Sequence, residues 1–170
     1  MAAAFLQLRL RSMEIRDARL EDAAEACAVI RRSILELCSL DHRDDPAILE
    51  RWLANKTPEQ VAGWFGRSDH PVLVVTEAGG IVAVGAVRIS GEITLNYVSP
   101  EARFRGFSRA LLAELELRAR QFGADACTLN STETARRFYR SAGYLEQGPP
   151  KPGFRADVVY PMIKRLGLRA

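Results

Sequence analysis

Cysteine is scarce in this sequence, and the number of cysteines is odd. Cys27, Cys38 and Cys127 are the three in 170 residues, and no two of them form a CxxC pair. Nothing around them has the pattern of a metal site or of an activated nucleophile. We therefore predict reduced, buried thiols in a cytoplasmic protein, and no disulfide framework.

Long apolar runs and a strong charge of either sign are also missing. No run approaches the about 20 apolar residues that span a bilayer, so we expect no membrane partner. The formal net charge is only +3, and the basic residues are spread along the chain without a block, so we expect no nucleic-acid partner. The composition, 48% hydrophobic and 26% charged, is typical of a globular protein, and the length suits one domain.

The first 12 residues, MAAAFLQLRLRS, contain two arginines, no acid, and precede a second methionine, Met13. The segment is short for a targeting peptide and lacks a typical apolar region and cleavage site. We expect residues 1–12 to be a disordered extension and residues 13–166 to form a single domain.

Hydrophobic periodicity divides the remaining chain into alternating blocks of helix and strand. Helices are predicted at 20–38, 47–54, 57–66, 110–122 and 132–142, and strands at 13–16, 72–76, 81–87, 93–98, 127–130, 144–147 and 157–163. This order is typical of a mixed α/β sheet with helices on its faces.

The segment Leu40 to Pro46, LDHRDDP, contains four residues that can bind metals, three aspartates and one histidine. It lacks the glycine at position six and the glutamate at position twelve of a calcium loop. We therefore predict a solvated charged loop here and no metal site. His70 precedes a proline and is predicted to be a turn residue.

The stretch Arg103-Phe104-Arg105-Gly106-Phe107-Ser108-Arg109 lies between a predicted strand and a predicted helix. The N–H groups of a helix's first turn have no partner inside the helix, and the helix dipole favours negative charge there. Three arginines in seven residues can pair with phosphate. The stretch is either a site for a phosphorylated ligand or a solvated turn.

Two motifs on this element order make the chain resemble the GNAT superfamily, the Gcn5-related N-acetyltransferases. The first is the Arg/Gln-x-x-Gly-x-Gly/Ala pyrophosphate loop, here Arg103 to Ser108, in which Ser108 replaces the usual Gly or Ala. The second is Ala135-Arg136-Arg137-Phe138-Tyr139, followed by Gly143-Tyr144. The resemblance covers almost all of residues 13–164.

The resemblance implies a GNAT-like fold. Its central sheet would be mixed, mostly antiparallel and twisted, with about seven strands and four to five flanking helices. The sheet would splay between the strand at 93–98 and the strand at 127–130, which leaves backbone groups free for a ligand.

The resemblance also implies acetyl-CoA as a co-substrate, with no metal. The pantetheine arm would pair with backbone around Tyr97 and Val98 and with the amide of Asn130. Phe138 is a further candidate, although it takes the core-facing position of its helix. The phosphates would be bound by backbone N–H groups and guanidinium groups of the residues Arg103, Phe104, Arg105, Gly106, Phe107, Ser108, Arg109 and Arg137.

Two residues are candidates for proton transfer. Tyr139 matches the family's acid tyrosine, and the alternative is a core aromatic. Glu92 lies eleven residues before Arg103, the spacing of the base glutamate in the histone acetyltransferase branch. A solvated Glu92, with a water chain leading to another base, is the alternative.

The implied function is transfer of an acetyl group from acetyl-CoA to a primary amine of a small molecule or peptide, by direct attack in a ternary complex. A non-catalytic CoA-binding regulatory module on the same fold is the alternative. Longer acyl donors remain open, as does a homodimer, since family members often dimerise. The family builds its acceptor pocket from the first helices and the last hairpin loop, which include Trp52, Trp64 and Lys151 to Phe154.

Overall fold

The computed structural model describes residues 13–167, so the predicted extension at residues 1–12 lies outside the described residues. Its framework is two sheets whose neighbouring strands are all antiparallel. The first sheet, in spatial order, contains β1 (Met13–Asp17), β2 (Val72–Glu77), β3 (Gly80–Val87) and β4 (Ile93–Val98). The second contains β5 (Ala126–Ser131), β6 (Leu145–Glu146), β7 (Lys151–Pro152) and β8 (Val158–Arg165), with β8 paired to the other three.

The two sheets meet at one point and then separate. Glu92 and Thr128 form an isolated parallel bridge, and the Thr128 N–H donates to the Gly91 carbonyl at 3.1 Å. Gly91 has φ +87°, and a side chain there would collide with the Ala126 carbonyl, so the close approach requires glycine. No further ladder joins β4 to β5 within residues 13–167. The predicted splay is confirmed, and the strand edges that face the gap have unpaired backbone groups.

The helices pack on the faces of this framework. They are α1 (Ala23–Arg32), α2 (Ser39–His42), α3 (Pro46–Leu53), α4 (Pro58–Ala62), α5 (Phe107–Gln121) and α6 (Glu133–Ser141). The predicted helix at 20–38 is present with a 3-10 turn at Leu20–Asp22 and a π-helical turn at Ser33–Leu37. Thr57 caps α4 by accepting from the Gln60 N–H at 3.3 Å, and Pro58 occupies the first helical position.

Alternation along the strands creates a core on each face of the first sheet. In β2, Leu73 and Val75 belong to the cluster that contains α5, while Val72 and Val74 belong to the cluster that contains α1. A side chain at Gly85 of β3 would meet Leu115 at 2.9 Å, so α5 packs closely against the sheet.

One predicted loop is partly wrong. Within the predicted solvated loop at Leu40 to Pro46, Asp41 and His42 belong to α2 and are buried. Burial of an ionisable side chain requires a partner, and for Asp41 that partner is α6, as described below. Within the described part of the chain, no helix has both the length and the hydropathy that crossing a membrane requires.

Candidate active site

A cavity of about 780 Å³ opens where β4 and β5 separate. It is bordered by β4, by the turn before α5, by the end of β5 and by α6. The structure brings together, from these four segments, the predicted residues Tyr97, Val98, Arg103, Phe104, Gly106, Phe107, Ser108, Arg109, Asn130, Arg137, Phe138 and Tyr139. Tyr97 and Tyr139, which are 42 positions apart in the sequence, thus line one cavity.

The turn before α5 has the geometry of an anion site. Gly106 precedes the helix at φ +87°, and no side chain caps the first-turn N–H groups. Phe104 is 90% exposed and has φ +63°, a strained conformation for a residue with a side chain. A glycine at the start of the helix lets a ligand approach the free N–H groups, which attract negative charge.

Three arginines that line the cavity add positive charge to this turn. They are Arg103, Arg109 and Arg137, and no acidic side chain is among the described lining residues. Arg103 lies over the Phe104 ring at 4.5 Å, and Arg109 donates to the Ser141 hydroxyl at 2.9 Å. The cavity is therefore cationic at this end and suits a ligand with several phosphates.

Arg105 is placed differently from the other arginines of the turn. Its guanidinium donates to the Glu77 carboxylate at 2.6 Å and lies over the Phe107 ring at 5.1 Å. It is absent from the lining of the cavity. The structure therefore does not bring the Arg105 side chain to the predicted phosphate position.

Tyr139 is both a core residue and a wall of the cavity. It is 7% exposed and makes edge contacts with Phe138 and Tyr144, at centroid distances of 5.1 Å and 5.5 Å. Phe138, which is predicted to take the core-facing position of its helix, is only partly buried, and Tyr139 is the more buried of the two although it lines the cavity. α6 carries both rings to the cavity, with Tyr139 the deeper one.

Asn96 is a polar contact of Tyr139 that sequence reasoning missed. Burial raises the pKa of the Tyr139 phenol above its usual range, and a hydrogen bond with the Asn96 side chain opposes that shift. The phenol therefore retains its proton at neutral pH. Asn96 lines the cavity, and its buried Oδ1 has no partner among the residues described. An unpaired buried carbonyl oxygen is available to a ligand N–H group.

A second cavity, of about 570 Å³, lies beside the first, and β4 residues line both. Its walls include Trp52, Trp64 and the segment Lys151 to Ala156, so it has the predicted make-up of an acceptor pocket. Glu92 lines this second cavity and not the first, and its carboxylate pairs with Arg88 at 3.0 Å. The two proton-transfer candidates therefore lie in neighbouring cavities.

His70 is the second residue that sequence reasoning missed. It lines the second cavity, and its Nε2 is 2.7 Å from the Thr94 hydroxyl. Burial lowers the pKa of the imidazole, and the charges of Arg88 and Arg67 act in the same direction. The ring is therefore neutral at pH 7. The sequence shows only a histidine before a proline, and its contact with Thr94 depends on the pairing of the strands.

The side chain of Tyr97, and not only its backbone, belongs to the candidate site. Its phenol oxygen accepts a hydrogen bond from Trp52 Nε1 at 3.2 Å, and it borders both cavities. Burial raises the pKa of the phenol to about 12. Among residues 13–167, no cluster of three or more histidine, cysteine or acidic side chains is arranged to hold a metal ion.

Comparison with known proteins places this arrangement in a family. Residues 39–165 match the family model of the acetyltransferase (GNAT) domain. The fold is similar to that of a GCN5-related N-acetyltransferase from Rhodopseudomonas palustris, with a TM-score of 0.79 and 24% identity over 91% of this chain and 96% of that one.

Two further structures with this fold contain coenzyme A or acetyl-CoA. The PaiA N-acetyltransferase of Thermoplasma acidophilum, in complex with coenzyme A, has a TM-score of 0.74 and 19% identity over 91% of this chain and 99% of its own. YncA of Salmonella typhimurium, with acetyl-CoA, has a TM-score of 0.70 and 20% identity over 93% of this chain and 96% of its own.

Proposed function

The chain belongs to the GNAT family of acetyltransferases, and we propose that it moves the acetyl group of acetyl-CoA to a primary amine of a small molecule or peptide. The amine attacks directly, with both substrates bound. One observation carries the proposal: β4 separates a cationic cavity suited to the donor from a second cavity suited to an acceptor.

The residues of the first cavity fit acetyl-CoA, which supplies the activated thioester. The free N–H groups at the start of α5, with Arg103, Arg109 and Arg137, suit the phosphates. The edge of β4, the Asn130 amide and the unpaired Asn96 oxygen suit the amide groups of the pantetheine arm. Because the walls are fixed by the sheet and by two helices, the site needs little ordering when the donor binds.

Tyr139 is the proposed general acid. Burial raises the pKa of its phenol, so the side chain is protonated at neutral pH and has a proton to give to the departing sulfur. The edge contacts with Phe138 and Tyr144 restrict the ring. A fixed, protonated donor beside the cavity supports the role that the resemblance assigns to this tyrosine.

Glu92 is the proposed base. An amine of ordinary pKa, near ~10, is protonated at pH 7, so a proton must leave before attack. Glu92 lines the second cavity and is oriented by Arg88 at 3.0 Å. His70 is a second candidate, because it is neutral and its Nε2 is hydrogen-bonded to Thr94 at the border of the two cavities.

The experiment is a panel of amines incubated with acetyl-CoA, with release of the CoA thiol as the signal. The proposal expects at least one amine to accelerate release and to be recovered as its acetyl derivative. Acetyl-CoA binding without acceleration by any amine would instead favour the regulatory module. We propose a cytoplasmic location, supported by the three free, buried cysteines.

A further inference from the structure

The charges that line the second cavity are mostly positive. Besides His70, the charged lining residues that the structure describes are the four cations Arg67, Arg88, Lys151 and Arg155 and the single acid Glu92. Arg67 is paired with Asp69, and Arg88 with Glu92. Within residues 13–167, Lys151 and Arg155 have no ion pair.

Arg155 lines this cavity together with Trp52 and Tyr97, and it is half-buried. Burial is the larger cause of the lowered pKa of the Lys56 ammonium and of the raised pKa of Tyr97; the charge of Arg155 adds to the first shift and opposes the second. No carboxylate pairs with Arg155 in the described part of the chain. A half-buried guanidinium without an acidic partner is a site for an anion.

Tyr97 supplies a hydrogen-bond donor at the same place. Its oxygen accepts from Trp52 Nε1, and its own O–H has no acceptor among the residues described. A phenol accepts and donates at once, so this proton is available to a ligand oxygen. Arg155 and Tyr97 together can bind the two oxygens of one carboxylate.

We infer that the acceptor is a small amine that carries a carboxylate, of the amino-acid type, with an apolar side chain. Arg155 and Tyr97 bind the carboxylate, and Trp52 and Trp64 contact the apolar part. Polyamines and aminoglycosides are poor acceptors, because their extra positive charges meet Lys151 and Arg155. This inference rests on the proposed function, since it names the acceptor of that reaction.

The first experiment compares apolar amino acids with their own amides and with spermidine, using CoA-thiol release. The free acids are expected to exceed the amides in kcat/KM by about tenfold to a hundredfold, the effect of one charge-assisted contact. Arg155→Gln should abolish that preference. Arg165→Gln is the matched control, because Arg165 is exposed and lines neither cavity.

The second experiment measures binding without turnover. N-acetyl-leucine and N-acetyl-leucinamide are titrated into the protein, and the fluorescence of Trp52 and Trp64 is followed. The acid should bind more tightly than the amide, and either Arg155→Gln or Tyr97→Phe should remove the difference.

The outcomes separate the inference from the proposed function. Efficient acetylation of spermidine or of the amides would overturn the inference and leave the proposed function standing. Carboxylate binding that depends on Arg155, with no acetylation of any amine, would overturn the proposed function and leave standing only a carboxylate-binding site. Equal binding of the acid and the amide by the unaltered protein would also overturn the inference.

Discussion

Asp41 caps the helix that carries Tyr139, and it does so through Thr134. Its carboxylate accepts from the Thr134 hydroxyl at 2.5 Å, from the Thr134 N–H at 3.3 Å and from the Glu133 N–H at 2.7 Å. The negative charge lies at the start of α6, where the helix dipole favours it. The short helix α2 therefore fixes the position of a cavity wall that is formed by a distant part of the chain.

Asp41→Asn should lower both stability and turnover. The variant retains the size of the side chain but loses its charge and one acceptor, which we expect to cost about 1–3 kcal/mol of the free energy of unfolding. Because α6 carries Arg137 and Tyr139, kcat should fall as well. Urea unfolding and steady-state kinetics measure the two effects. Asp44→Asn is the control, since that side chain is 90% exposed; equal behaviour of both variants would contradict the positioning role.

Tyr139→Phe should reduce turnover without weakening the binding of acetyl-CoA. Removing the acid proton is expected to lower kcat by about a hundredfold or more, since general acid catalysis contributes on that scale. The affinity for acetyl-CoA, measured by calorimetry, should stay within about twofold, because the ring still fills the core. Tyr160→Phe, at a half-exposed tyrosine outside both cavities, is the control. Unchanged turnover in Tyr139→Phe would rule out the acid role.

Arg103→Gln and Arg105→Gln should have different effects on acetyl-CoA binding. Arg103 lines the first cavity, which we propose as the donor site, while Arg105 is bound to Glu77. We expect Arg103→Gln to weaken acetyl-CoA binding by about tenfold, the loss of one charge-assisted contact. Arg105→Gln should leave the affinity nearly unchanged. Calorimetric titration with acetyl-CoA gives both values, and a larger loss in Arg105→Gln would mean that its side chain leaves Glu77 when the donor binds.

Comparing the kcat/KM of Glu92→Gln with that of His70→Gln should show which of the two residues is the base. With Glu92 as the base, Glu92→Gln is expected to lower kcat/KM by about a hundredfold. His70→Gln should change kcat/KM by less than about tenfold. Both values are measured by CoA-thiol release. A loss of about a hundredfold in His70→Gln, with little change in Glu92→Gln, would make the histidine the base.

Lys56 should make stability rise with pH. Its ammonium is fully buried and donates to the Trp52 carbonyl at 2.7 Å and to Asn55 Oδ1 at 2.9 Å. Burial, and secondarily the charge of Arg155, lower its pKa to about 7. Between that value and the ordinary value of 10.5, the unfolded chain binds a proton that the folded chain lacks, so folding is favoured as pH increases and loses this contribution as pH falls.

The test compares the free energy of unfolding of the wild type with that of Lys56→Met at pH 7, 8 and 9. The wild type minus the variant should increase by up to about 1.4 kcal/mol per pH unit, the limit for one proton. The subtraction removes the contributions of cysteine and tyrosine, which the two proteins share. A difference that is independent of pH would show that Lys56 keeps its charge in the folded protein.

Prediction from the sequence succeeded where the signal is local. Thr57-Pro58 marks the start of a helix because the cap and the proline act within one turn. Gly106 marks the turn before a helix because its backbone has φ +87° and glycine adopts that conformation without strain. Prediction failed at Asp41, whose hydrogen-bond partners are on α6. A charged segment has the same local sequence pattern whether its side chains are solvated or cap a distant helix.

By itself, the sequence determined the order of elements, since periodicity and turn chemistry act over a few residues. The splayed sheet and the chain segments that line the first cavity were predicted from the resemblance to the GNAT superfamily. Only the tertiary structure decided which side chains face the two cavities. Arg105 pairs with Glu77, His70 meets Thr94, and Arg155 lines one cavity with Trp52 and Tyr97. These contacts join residues that are far apart in the chain, and they depend on how the strands and helices pack against one another.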